Sequence, residues 1–240
     1  MGPSYRYAAR MNDTQQLAAF ADPDYRAAVI DLLGVIAYGE LSAFERLVDD
    51  AKLSPTLEDK IALDTMATVQ FGHVQPLLDR VTDLGGEPLT AMEPFVKPFD
   101  SFHAKTAPSD WLEGLIKAYV GEGLTSDFYR EITAFVDAET RALIHDSLQD
   151  TGQADFVVAR VKAAIEADHR VGGRLALWGR RLMGEALSQA QRVAAERDTL
   201  AGLLAGGVDR PGLDLAALSR MFTRLTENHI ARMAELGLES

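Results

Sequence analysis

The sequence predicts an all-α protein: a four-helix bundle made of two helix hairpins joined by one long crossover, with additional helices C-terminal to it. Three observations carry this. Apolar residues recur at helical spacing along most of the 240 residues, and no convincing alternating strand appears. Helix-starting pairs of a small polar residue and proline punctuate the chain. One proline-rich stretch divides the helical segments into two pairs.

The elements follow in order. Residues 1–21 read as an N-terminal tail. Asp22-Pro23 supplies an N-cap and a proline at the first helical position, opening a helix that runs to about Ala51. Ser54-Pro55 repeats the device and opens a second helix to about Leu84, closed by "LGGEP". Pro76 falls inside that helix, three residues after His73; it removes a hydrogen bond and should kink the helix. Residues 86–108 hold four prolines (88, 94, 98, 108) and read as a long irregular connection. Ser109 caps a third helix to about Val136, with Asp110 and Glu113 in its first turn, where the helix dipole favours acids. Asp137 caps a fourth helix to about Ala167, and "RVGGR" marks a break. A fifth helix covers about Leu175–Leu204, completing a bundle domain over residues 22–204. Residues 205–212, "AGGVDRPG", are a linker to an amphipathic helix in segment 213–240. In that helix Leu215, Leu218, Met221, Phe222, Leu225, His229, Ile230 and Met233 recur at helical spacing, which suits packing on the parent domain or a partner surface.

Composition narrows the function. There is no cysteine, which excludes disulfides, zinc–thiolate sites and thiol catalysis. No run of 18 apolar residues and no apolar signal core appear, so the expectation is a cytoplasmic protein without a membrane partner. A net charge of −12 disfavours general nucleic-acid binding, which draws on phosphate neutralisation. Six arginines (170, 174, 180, 181, 192, 197) nevertheless crowd the stretch from His169 to Arg197. They read as a solvated face paired with acidic neighbours, or as a docking face for an acidic partner.

The two hairpins look like copies. "FGHVQPLLDRV" (71–81) aligns with "TGQADFVVARV" (151–161) at an offset of 80, and "YGELSAF" (38–44) aligns loosely with "VGEGLTSDF" (120–128). Copies packed about a pseudo-two-fold axis bring the middles of all four helices to one level. At that level stand Glu40, then Gln70 and His73, then Glu122, then Asp150 and Gln153. Glu40 has apolar residues at its helical neighbours Leu33, Ile36, Ala37, Ala43, Phe44 and Leu47, so its carboxylate points into the core. A buried carboxylate must be paired, protonated or metal-bound. Gly39, Gly72, Gly121 and Gly152 each precede one of these positions, which implies either close helix approach or room for a ligand.

The stretches "AYGELSAFERL", "QFGH", "DWLEGLIKAYVGE", "DFY" and "LALWGRRLMGEALSQAQRVAAERD" resemble the ferritin-like superfamily of carboxylate-bridged di-iron proteins. Within it they are similar to the hydroxylase-like relatives of the tRNA 2-methylthio-isopentenyladenosine hydroxylases, over about residues 25–200. The superfamily pattern is Glu, Glu-x-x-His, Glu, Glu-x-x-His on four helices. The resemblance matches Glu40, His73 and Glu122 to metal ligands and places Asp150 where a Glu would stand. Gln70 and Gln153 stand at altered ligand positions, and a neutral carboxamide is a much weaker iron ligand than carboxylate or imidazole.

Two functions follow. In the first, iron (two ions, or one) held by Glu40, His73, Glu122 and Asp150 supports a hydroxylase. The resemblance implies an isopentenyl-type tRNA base or small hydrophobic substrate and an external electron donor. In the second, the bundle is catalytically degenerate, lacks a functional metal centre and serves as a binding or interaction protein. A homodimer fits either. Glu166-x-x-His169 lies too far along its helix from Asp150 to share the site, and His103, in the crossover, and His229 have nothing nearby to make them ligands.

Overall fold

The computed structural model describes residues 22–148, 152–206 and 212–238; Asp150 lies outside them. Among the described residues there is no strand. The helices are α1 (Pro23–Ala51), α2 (Leu57–Gly72), α3 (Val74–Asp83), α4 (Pro88–Lys105), α5 (Trp111–Ile132), α6 (Ala138–Ser147), α7 (Gln153–Ala167), α8 (Arg170–Glu196), α9 (Asp198–Ala205) and α10 (Leu215–Glu235). The bundle consists of α1, α2–α3, α5 and α6–α7.

Caps decide where the helices begin. The Asp22 carboxylate accepts the Asp24 N–H at 2.9 Å, with Pro23 in the first turn, as its sequence implies. The second helix starts later than Ser54-Pro55 suggests, because the Thr56 hydroxyl accepts the Asp59 N–H at 3.1 Å. The third is capped one residue after Ser109, by Asp110, whose carboxylate accepts the Glu113 N–H at 3.0 Å. Asp137 caps α6 as expected, accepting the Thr140 N–H at 2.9 Å.

The crossover departs most from expectation. Residues 88–105 are not irregular but form α4, with Pro94 and Pro98 inside it. Proline lacks an N–H, but these two are four residues apart, so both missing donors fall on one side of the helix. Ala91, Met92 and Phe95 are buried against α1, and that burial outweighs the lost bonds. "RVGGR" is likewise helical: the chain turns earlier, at Asp168–His169, and α8 begins at Arg170.

Both second helices of the hairpins are interrupted, and at equivalent places. Helix α2 ends at Gly72, His73 is the junction, and α3 begins at Val74 with Pro76 in its first turn. In the other hairpin α6 ends at Ser147, and α7 begins at Gln153 after Gly152, whose φ of +80° is left-handed and suits glycine. These junctions coincide under the sequence repeat.

The core is split in two. One cluster joins the first half of α1 (Tyr25, Leu32, Ile36) to α3, α4, α6 and α9. The other joins the end of α1 (Leu47) to α2, α7, α8 and α10. Between them each bundle helix gives up apolar packing, and there the polar site sits.

Helix α1 is long and apolar enough to cross a membrane by length and composition alone. Here it is the central helix, packed by α2, α3, α4 and α9, with Asp31, Glu40 and Asp50 buried along it. The C-terminal α10 packs on the parent bundle through Met221, Leu225 and Met233, while Ile230 stays exposed. Arg232 clamps Asp127, and Arg224 holds Glu131 through two bonds at 2.7 and 2.8 Å. His229 is buried under that helix, and among the described residues neither of its ring nitrogens has a hydrogen-bond partner. Of the α8 arginines and the junction that follows, Arg174 is tied to Asp110 and Glu113, Arg181 to the Lys105 carbonyl, and Arg197 to Asp31.

Candidate functional site

The structure brings Glu40, Gln70, His73, Glu122 and Gln153 to the wall of one cavity of about 150 Å³ inside the bundle. Asp150 falls outside the described residues. Glu40 is 4% exposed, as the apolar pattern around it requires. Its Oε2 accepts a hydrogen bond from the Gln70 amide and lies 3.3 Å from His73 Nδ1. Glu122 stands on the facing helix, and Gln153 is buried at the start of α7. Among the described residues no three His, Asp or Glu side chains form a group able to hold a metal ion.

Electrostatics at this end follow from burial and pairing. Desolvation pushes the Glu40 carboxyl above its ordinary range, and the contacts from His73 and Gln70 oppose that rise. The hydrogen bond from Glu40 raises the His73 imidazole, with burial opposing and the Glu122 charge adding. A raised histidine contributes stability that is present below its unfolded pKa of about 6.5 and is lost as pH rises through the folded value. We expect an NMR titration to place His73 above 6.5 in the wild type. In Glu40→Gln it should drop, because the principal cause of its elevation is gone. An unchanged titration would contradict the pairing.

The cavity extends along α1 to a second polar end that sequence reasoning missed. Here stand Asp50 and Arg46 from α1, Lys117 from α5 and His103 from α4. Ser42 Oγ and His103 Nε2 are 2.7 Å apart. His103 is thus no loop residue without neighbours; α4, being helical, presses it against α1. Lys117 is 6% exposed and its Nζ donates to the Thr106 carbonyl at 2.8 Å. Burial pushes Asp50 up to about 6, Lys117 down to about 8 and His103 down to about 3. A signal existed for Asp50: Glu40, Ala43, Leu47 and Asp50 follow one another at three- and four-residue steps along a single helix face.

The glycines divide by role. Close helix approach does not explain Gly72, Gly121 or Gly152, since a Cβ there meets nothing within 4 Å. Gly39 has ordinary contacts at 3.4 Å with Phe99 and Tyr129. Gly39 and Gly121 line the cavity, so their missing side chains keep it open. Gly114 does serve close approach, because a Cβ there would lie 2.9 Å from the Asp50 carboxylate.

A bundle of four helices with one long crossover and polar residues meeting at its middle is the ferritin-like arrangement. The family model described as "Ferritin-like domain, actinomycetes" matches residues 23–207. The chain belongs to this ferritin-like family. No curated protein matches the sequence.

Proposed function

We propose that this protein is a ferritin-like bundle whose interior site binds a small organic molecule and has no functional dinuclear metal centre. The observation that carries this is the Gln70 amide donating to the buried Glu40 carboxylate. An N–H aimed at Glu40 Oε2 occupies a lone pair for which a metal would have to compete, and the amide nitrogen, not its oxygen, faces that carboxylate. In the second hairpin Gln153 stands where the repeat places His73, a carboxamide in place of an imidazole and a poor iron ligand. Glu40, His73, Glu122 and Asp150 with two carboxamides fall two ligands short of the four carboxylates and two histidines of a dinuclear carboxylate centre. They do suit a hydrogen-bonding cavity wall.

The hydroxylase reading keeps one point in its favour: Glu40, His73 and Glu122 still line a common cavity. It requires iron, an external electron donor and, for a tRNA base, phosphate contacts. Of the six arginines that could supply those contacts, Arg174, Arg181 and Arg197 are engaged by the bundle itself, while Arg170, Arg180 and Arg192 are exposed.

The test is metal content by mass spectrometry on protein expressed with added iron and desalted, beside a Glu40→Ala/His73→Ala control. The expected result is well below one iron per chain, with no difference from the control. Close to two irons per chain, lost in the control, would overturn this reading in favour of the hydroxylase.

A further inference from the structure

We propose that the end of the cavity formed by Lys117, Arg46, Asp50 and His103 is a subsite for the carboxylate of a small aromatic or alkyl acid, whose apolar body lies in the middle of the cavity. This rests on the ligand-binding reading above and names the ligand class.

Polar groups short of partners border the cavity at this end. The Asp50 carboxylate is 5% exposed and receives no hydrogen bond among the described residues. It faces Lys117 but does not reach ion-pair distance from it, although each feels the other's charge. Lys117 uses one hydrogen bond, to the Thr106 carbonyl, leaving the rest of its ammonium group for the cavity. Arg46 Nε and His103 Nδ1 are buried without a partner among the described residues, while the outer end of Arg46 pairs with Asp49 at 3.3 Å. Native interiors rarely leave buried polar atoms unpaired. Arg46 Nε, His103 Nδ1 and the Asp50 carboxylate border one void, which points to a bound group that completes them.

The sign of that group follows from the inventory. Two cations and one acid surround the space, and the free donors on Lys117 and Arg46 call for an acceptor. An ammonium ligand could meet Asp50 only by lying beside Lys117 and Arg46. A carboxylate meets both cations, and Asp50 need not repel it: burial raises Asp50 to about 6, so its protonated form can donate to the ligand. Beyond this end the walls are Phe99, Phe102, Ala118 and Gly121, which suit an apolar body. A void of about 150 Å³ is the size that admits a benzene ring, so a benzoate-sized acid fits.

The experiment is isothermal titration of the full chain with sodium benzoate, benzylamine and benzyl alcohol, on wild type, Lys117→Met, Arg46→Gln and Gly121→Leu. Gly121→Leu keeps every charge but fills the void, and the three variants together cover the case in which one fails to fold. Circular dichroism checks the fold of each. Expected are saturable benzoate binding to the wild type, no binding of benzylamine, and affinity lowered about tenfold or more in each folded variant. Benzoate affinity should also rise between pH of about 7.5 and about 5.5 as Asp50 takes up its proton. Benzylamine binding as well as benzoate would overturn the proposal, as would no binding of any probe, or benzoate binding indifferent to all the variants. Benzyl alcohol binding equal to benzoate would overturn the carboxylate assignment while leaving the ligand-binding reading intact. That reading fails separately, through two irons per chain in the metal measurement.

Discussion

Gly34→Ala should destabilise the protein more than any other single methyl addition in α1. A Cβ at Gly34 would lie 2.2 Å from the carbonyl oxygen of Ala91 and 2.6 Å from its carbonyl carbon. Those are backbone atoms of α4, so no side-chain rotation relieves the clash. The helices must part, and Phe95, fully buried on the same face of α4, loses its packing. Overpacking of this kind costs about 1–3 kcal/mol and sometimes more, against which alanine recovers about 1 kcal/mol of helix propensity. We expect a net loss of about 2 kcal/mol, or a fall in Tm of roughly 4–8 °C in a domain of this size. The comparison is Gly121→Ala, where a Cβ meets nothing within 4 Å. Propensity alone acts there, and a gain of about 0.5–1 kcal/mol is expected. Thermal unfolding of both variants checks the pair. A Gly34→Ala protein as stable as the wild type would mean that α4 does not rest on α1 as described.

The second large effect is in the acid limb of stability. His103 titrates at about 3 when folded, against 6.5 ordinarily, because its ring is desolvated beside Lys117 and Arg46. Between these values the unfolded chain takes up a proton that the folded chain refuses, so stability rises with pH and is lost as pH falls from about 6.5 towards 3. Asp50 works the other way. Its folded value of about 6 exceeds 3.8, so the folded state holds the proton and gains stability as pH falls through that window. Replacing His103 by Gln removes the first contribution and leaves a side chain that can still bond Ser42. One proton corresponds to a slope of about 1.4 kcal/mol per pH unit. Urea unfolding at a series of pH values should therefore give a shallower acid limb for His103→Gln than for the wild type, by up to that slope. Parallel limbs would place His103 in water rather than in the cavity wall.

The legibility of the site differed between its two ends. Glu40 and His73 could be read from the chain because a polar residue on an apolar helix face has no local explanation and demands a partner. Gln70 and Gln153 could be read as departures from a ligand pattern, but what Gln70 does instead, donating to Glu40, depends on how α2 faces α1. The Lys117–Asp50–His103 end was not legible. Asp50 resembles a surface charge near a helix end and Lys117 one on a helix face, and His103 belonged to a segment whose prolines argue against helix. Only the pressing of α4 onto α1, allowed by the missing side chain at Gly34, turns that segment into a helix and its histidine into a cavity wall.

What the sequence determined by itself was local or periodic in origin: an all-α fold, the caps at Asp22 and Asp137, the pairing of hairpins through a repeat, and a level at which polar residues interrupt the apolar faces. Each depends on contacts within a few residues or on a pattern of fixed period. Tertiary structure decided the helical state of residues 88–105, the burial of α10 and His229 against the bundle, and the second polar end of the cavity. The physical reason is the same in each case. These features exist because burial against another helix outweighs a local preference, and which helix lies opposite is not written in the neighbouring residues.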